Sequence, residues 1–280
     1  MSDFIKKWHS IIKEKNSNIC AWLDPSLYEM WRWEKWLPKW VGKLEWSLKY
    51  IEAVAPYVSA IKPNAGSWWW AWERALLKEI VNKIHEMWLL AIVDAKIADL
   101  WFTNDSWIYD YKNLWFDAVT VAPYAGNIES VVKFWKDRDI AIISMWLMSN
   151  PEYKTEMNFV STVWYATNSG QIPAGTTLWE SRVIRSIDAW VDWLVVWGTY
   201  TKNDKEFMKF IEMTNNLNIV YLIPWIWAQW WQIKDFLASG INPKKCIINS
   251  GRDIMFPNWS NSTNSEQALA AKKLRDAFNN

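Results

Sequence analysis

The chain has 280 residues, 51% of them hydrophobic, and its 31 basic and 30 acidic side chains leave a formal net charge of +1. That length suits one large core and is close to the usual size of α/β barrels. The charges are interspersed without a basic stripe or an acidic tail, so a nucleic-acid partner is not expected.

The chain opens on MSDFIKKWHSIIKEKN, an amphipathic helix pattern without the continuous apolar core of a signal peptide. No later run approaches the ~18 apolar residues of a membrane span. Short β-branched runs then alternate with longer helical patterns. Strands are predicted at 18–23, 58–63, 89–96, 117–123, 140–146, 191–197, 218–224 and 245–250, and helices at 42–55, 72–87, 127–135, 181–189, 203–216 and 232–239. A last helix is expected over 265–278, with Ser265 placed to cap it. Eight strands alternating with helices predict α/β architecture: a single (β/α)8 TIM barrel with a closed parallel sheet spanning 1–280. An open doubly wound sheet is the competing topology, but the strand count fits closure and there is no opening GxGxxG. Two stretches exceed what a barrel needs, at about 24–41 and 149–177. Long excursions of this kind commonly serve as lids or binding loops. Cys20 and Cys246 are too few for a disulfide framework; each lies in an apolar run and reads as a buried thiol of a reducing cytoplasm. With His9 and His85 as the only histidines, a histidine-rich metal site is not expected.

Tryptophan and glycine are present in unusual proportion. There are 27 tryptophans against 8 glycines, and many of the tryptophans stand at turns. Trp225, Trp227, Trp230 and Trp231 fall in IPWIWAQWW between a strand pattern and a helix pattern, Trp101 follows Asp99-Leu100, and Trp197 precedes Gly198. Such turns call for a residue that tolerates positive φ or lets backbone approach a ligand, and indole does neither. Forcing a bulky residue into left-handed backbone costs roughly 1–2 kcal/mol, and overpacking typically adds about 1–3 kcal/mol. Ten such sites would total on the order of 20 kcal/mol, above the ~5–15 kcal/mol that holds a domain together. The expectation is that many of these positions are glycine codons, UGA in the source, read as tryptophan. The competing reading is a truly tryptophan-rich protein that uses indole as core or ligand platform; Trp46 and Trp68 are candidates for genuine tryptophans.

Two constellations carry chemistry. In Asp94-Ala-Lys96-Ile-Ala-Asp99, the two-residue period of a strand places Asp94 and Lys96 on one face, expected to be the barrel interior near its C-terminal rim. Lys62 ends the preceding strand at the same height. Burying such groups is costly unless they pair, so Lys62, Asp94, Lys96 and Asp99 are expected to form an alternating array around one reacting group. The bland reading is a solvated loop edge with ordinary ion pairs. The second constellation is an anion cradle. With glycine in place of tryptophan, 223–231 reads IPGIGAQGG, a loop of inward-turning amides with Gln229 as a donor and a helix N-terminus behind it. One strand later, Asn249-Ser250-Gly251-Arg252 offers two more amides and a guanidinium suited to phosphate. As written, Trp230 and Trp231 would occlude this pocket.

Together these residues resemble the orotidine 5′-phosphate decarboxylase family, in particular its longer bacterial branch. The resemblance covers nearly the whole chain through AWLDPS (21–26), IKPN (61–64), VDAKIADLWFTNDS (93–106), DAVTVAPYAG (117–126), SNPE (149–152), DWLVVWGT (192–199), IPWIWAQWWQ (223–232) and NSGRDI (249–254). The main departures are tryptophans at family glycines: Trp22, Trp101, Trp197, Trp225, Trp227, Trp230 and Trp231. The resemblance implies cofactor-free, metal-free decarboxylation of orotidine 5′-phosphate to UMP in pyrimidine synthesis by a cytoplasmic homodimer. It implies that Lys96 protonates C6 of the pyrimidine, that Asp94 presses on the substrate carboxylate, and that Lys62 holds the array and touches the ribose. Asp99, with Thr103 near it, would serve the partner's site. Asp24 would bind a ribose hydroxyl and Ser149 the base edge. Gln229 and Arg252, with the Gly251 amide, would hold the phosphate. Two alternatives stand beside this: a sister DxKxxD barrel acting on a sugar phosphate with a metal, and a non-catalytic nucleotide-binding barrel.

Overall fold

A computed structural model of the chain describes residues 3–27, 36–38, 40–68, 71–146, 155–162, 164–167, 170–196, 203–224 and 236–279. Eight parallel strands form a closed barrel in chain order: β1 (Ile19–Leu23), β2 (Ala60–Pro63), β3 (Leu90–Ile97), β4 (Ala118–Val121), β5 (Ala141–Met145), β6 (Trp193–Val195), β7 (Val220–Pro224) and β8 (Cys246–Ser250), with β8 pairing back to β1. Six of these strands are buried along their whole length, β1 and β3 being the exceptions. A parallel sheet covered by helices requires this, and it explains why the strands read as continuous apolar runs rather than alternating ones.

The helices are α1 (Asp3–Lys15), α2 (Lys43–Val54), α3 (Ala71–Glu86), α4 (Trp101–Asn113), α5 (Ile128–Lys136), α6 (Leu178–Asp188), α7 (Lys205–Thr214), the short α8 (Arg252–Met255) and α9 (Asn264–Asn279). Four differ from the sequence expectation, the short α8 having no counterpart among the predicted helices. Helix α4 was not among the amphipathic runs, because one of its three buried positions is the polar Asn104, beside Ile108 and Tyr111. Helix α6 begins at 178 rather than 181: Thr177 and Glu180 form a reciprocal capping box, and this fixes the N-terminus three residues earlier. In α9 the cap is Thr263, not Ser265; the Thr263 N–H donates to Glu266 at 2.8 Å and its hydroxyl accepts from the Glu266 N–H at 3.3 Å. The predicted helix at 232–239 lies mostly outside the described residues.

Helix α1 packs across the N-terminal end of the barrel, where Phe4 and Trp8 lie 5.1 and 5.6 Å from the ring of Trp193. At the same end Asp117 accepts from the Ala91 N–H at 2.8 Å, lies 3.0 Å from His85 Nε2, and pairs with Lys7. Cys20 and Cys246 are buried free thiols; burial pushes Cys20 up to about 12. Within the 149–177 excursion, Tyr165–Ala166 and Gln171–Ile172 form a small antiparallel ribbon. No helix of the described residues is long and apolar enough to cross a membrane.

Candidate active site

The C-terminal rim of the barrel gathers the charged residues of the first three strands. Lys62 is the penultimate residue of β2, its side chain 3% exposed, and its ammonium pairs with Asp94 Oδ2 on the neighbouring β3. Lys96 Nζ reaches the other carboxylate oxygen at 2.5 Å. Asp94 is thus clamped between two ammoniums, and the Thr120 hydroxyl of β4 lies 3.2 Å from its Oδ1. Burial is the largest influence on Asp94 and by itself raises its pKa. The charges and hydrogen bonds of Lys62 and Lys96 together outweigh it and hold the carboxyl well below the usual carboxylate range.

The strand geometry here corrects the two-residue period. The β3–β4 register shifts between Val93 and Ile97, and Lys96 sits in left-handed backbone at φ 49°. Thr120 holds this bulge: its hydroxyl oxygen accepts from the N–H groups of both Ala95 and Lys96 at 3.0 Å. The bulge carries Lys96 out of the buried sheet, leaving its side chain 42% exposed, and the long stem folds back to Asp94. Bulges re-aim side chains near active sites in this way. Thr120 was missed by sequence reasoning, although a lone hydroxyl in the buried AVTV run was a legible signal.

Asp99 does not join this cluster within one chain. Its carboxylate accepts from the Leu100 N–H at 2.7 Å, and no cation among the described residues pairs with it. Its backbone is pinned instead: the N–H donates to Asn104 Oδ1 at 3.0 Å, and the carbonyl accepts from Asn104 and from Asn127 Nδ2, the latter at 2.9 Å. The four-member array is therefore three groups plus one that stands apart on the exposed rim. Thr103 is exposed in the first turn of α4. Beside it Leu100, Trp101 and Phe102 are 69, 61 and 80% exposed, an apolar patch at the edge of the site. Trp101 begins a helix rather than occupying a turn.

Asp24 lies just beyond β1 and accepts a hydrogen bond from the Ser67 hydroxyl. Gly251 follows β8 and precedes α8, whose first residue is Arg252, exposed on the same rim. Ser149, Gln229 and the 225–231 half of the proposed anion cradle lie outside the described residues. The space around the cluster is partly filled by Trp22. Its register partner across the β1–β2 pair is Lys62, whose Nζ stands 4.8 Å from the indole centroid. The other side of the ring presses on Gly251 so closely that a Cβ there would collide with it. A cavity of about 810 Å3 opens beside the cluster, lined by Asn64, Arg74, Asp94, Lys96 and Asp99 among others. A larger one, about 1530 Å3, lies at the opposite end of the barrel and touches none of the candidate catalytic or binding residues. The chemistry sits with the smaller cavity, because the clamped charges and the open strand ends are there.

No family model matches the chain. It is 28% identical to orotidine 5′-phosphate decarboxylase of Dehalococcoides mccartyi, over 99% of this chain and 97% of that protein. It is 27% identical to the enzyme of that name from Phocaeicola vulgatus, over 94 and 93%. Among solved structures, Leishmania donovani OMP decarboxylase superposes with a TM-score of 0.72 at 21% identity, covering 100% of this chain and 98% of that one. The Methanocaldococcus jannaschii orotidine 5′-monophosphate decarboxylase complexed with inhibitor BMP gives 0.66 at 20% identity, covering 94 and 98%. Over nearly its whole length, and on the same barrel fold, this chain is a homologue of the orotidine 5′-phosphate decarboxylases.

Proposed function

We infer that the protein decarboxylates orotidine 5′-phosphate to UMP. The observation that carries this reading is the Lys62–Asp94–Lys96 clamp: an anion held between a buried ammonium of the adjoining strand and a half-exposed ammonium of its own strand, beside an open cavity. The bond from C6 to the carboxylate breaks, CO2 departs, and the electron pair stays on C6. The Lys96 ammonium supplies the proton that quenches it, and the resulting amine recovers a proton from solvent. A positioned cation stabilises the developing carbanion most where the surroundings are already polarised and need no reorganisation. Asp94, fixed as an anion, stands where the substrate carboxylate arrives and disfavours the ground state more than the transition state, from which that charge is leaving. Lys62 keeps Asp94 ionised and meets the ribose.

Asp24 meets a ribose hydroxyl and Ser149 the base edge; Gln229, Arg252 and the Gly251 amide hold the phosphate. Phosphate contacts remote from C6 supply binding energy that the reacting centre uses. Asp99 and Thr103 serve the active site of a second subunit in a homodimer. Their exposure, the pinned backbone of Asp99 and the neighbouring apolar patch support that arrangement. A role in pyrimidine synthesis supports a cytoplasmic location.

The test is an assay of the chain carrying glycine at positions 22, 101, 197, 225, 227, 230 and 231, in buffer containing EDTA. Orotidine 5′-phosphate absorbance falls and UMP accumulates in equal amount. Turnover that vanishes with EDTA would instead assign the chain to metal-dependent sister barrels. UMP binding without turnover would make it a non-catalytic barrel.

A further inference from the structure

We propose that Trp22, Trp40, Trp88, Trp115, Trp190 and Trp259 are glycines in the polypeptide made by the source organism, their codons being UGA read as glycine. This assignment rests on backbone conformation and packing, not on the enzymatic reading above. Only Trp22 belongs to the set picked out at family glycines; the other five emerge from the structure.

Among the described residues, eleven have left-handed backbone. Three are glycines (Gly126, Gly175 and Gly240), and Asn16, Asp139 and Lys96 account for three more. The remaining five are all tryptophans: Trp40, Trp88, Trp115, Trp190 and Trp259, with φ between 53° and 72°. Asparagine and aspartate tolerate this region through local hydrogen bonding, whereas an indole has no such compensation.

Three of the five occupy one recurring structural position. After α3, α4 and α6 the chain ends its helix with paired reverse bonds before entering the next strand. Trp88 N–H donates to the His85 carbonyl and Leu89 N–H to Ile84; Trp115 donates to Lys112 and Phe116 to Tyr111; Trp190 donates to Ile187 and Val191 to Ser186. This is the helix C-terminal motif whose left-handed residue is usually glycine. Where other helix-to-strand turns of this barrel contain a left-handed residue, it is Asn16, Asp139 or Gly240. Each of those types is suited to the conformation.

All five residues are at least half exposed rather than packed in the core. Trp40, Trp88, Trp115, Trp190 and Trp259 are 98, 50, 63, 77 and 50% exposed. Trp115 and Trp190 are also among the residues that wall the large cavity at the N-terminal end of the barrel. Trp22 differs in having ordinary backbone. Its indole is wedged against Gly251 and over Lys62, and its buried Nε1 has no hydrogen-bond partner. Glycine at 22 frees the volume between the catalytic clamp and the Gly251–Arg252 turn, which is where the reading above needs the nucleotide. Trp46 is the internal control. It lies within α2, stacked on Tyr50 and Phe256 at 5.3 and 5.4 Å, and stays tryptophan.

Peptide mass spectrometry of the protein isolated from its source organism decides the assignment. The expected spectrum shows glycine at all six positions and tryptophan at 46. Tryptophan at Trp88, Trp115 or Trp190 would overturn the proposal, whatever the enzyme's activity. A second measurement tests the structural premise in recombinant protein. The triple variant Trp88→Gly, Trp115→Gly, Trp190→Gly melts at a higher temperature than the chain as written, because three left-handed positions are relieved; an equal or lower midpoint would contradict it. Adding glycine at 22, 101, 197, 225, 227, 230 and 231 should then create binding of UMP that the parent lacks. If the six glycines are found but UMP still fails to bind, the translation proposal stands and the nucleotide reading falls.

Discussion

Asp94 is subject to two opposing effects. Burial favours its neutral form, and the flanking Lys62 and Lys96 favour the anion and win, so the group remains charged through the physiological range. A carboxyl whose native pKa is depressed contributes stability that is complete above its unfolded value near 3.9. That contribution is lost as pH falls through the lower native value. Replacing Asp94 with asparagine strands the Lys62 ammonium, 3% exposed, without its counter-ion; the expected cost at pH 7 is about 3–5 kcal/mol. In urea unfolding across pH, the gap between parent and Asp94→Asn holds steady down to pH ~4 and narrows below it. A gap that widens on acidification would show that Asp94 is not the paired anion described here. The DxKxxD spacing revealed the partners, but not how they meet. The bulge at Lys96 depends on the Thr120 hydroxyl from the next strand, and strand periodicity contains no term for a hydrogen bond across the sheet.

At the level of elements, the strands were the most legible part, because two-sided burial makes each an uninterrupted apolar run with a turn on either side. Every predicted strand overlaps an observed one, the observed one being shorter at one or both ends except at β3, which extends one residue further to Ile97. Helices that announce themselves by an apolar stripe were found as well. Helix α4 was missed because Asn104 takes an inward position, held there by its bonds to Asp99. The apolar run of α6 starts after its true N-terminus, which is marked instead by the Thr177 and Glu180 capping box. The helix-to-strand turns were illegible for another reason. Their glycine signal is absent from the sequence as written at Trp88, Trp115 and Trp190, and only the left-handed φ values of the folded chain reveal that the backbone still calls for it.

On the scale of the whole molecule, the barrel brings residues 62 and 94 together across 32 positions of sequence, while leaving Asp99 outside the cluster they form. The spacing of the residues placed all four charges near one rim, and the family resemblance rather than the spacing set Asp99 apart from the other three. The dimer reading makes a complementation prediction, tested in the glycine-carrying protein. Asp99→Asn and Lys96→Ala homodimers are each inactive, and verified heterodimers of the two recover activity, because one of their two sites then has both groups intact. Heterodimers as inactive as the parents would reject shared sites.

The proton donor is the centre of the account, and Lys96→Ala in the glycine-carrying protein tests it most directly. Orotidine 5′-phosphate turnover is expected to fall by at least ~10^3-fold, within the range of a positioned general acid, while UMP affinity changes by less than about tenfold, since its phosphate grip lies elsewhere. Turnover within a factor of ten of the parent would contradict the assignment of Lys96 and, with it, the chemistry built on the clamp.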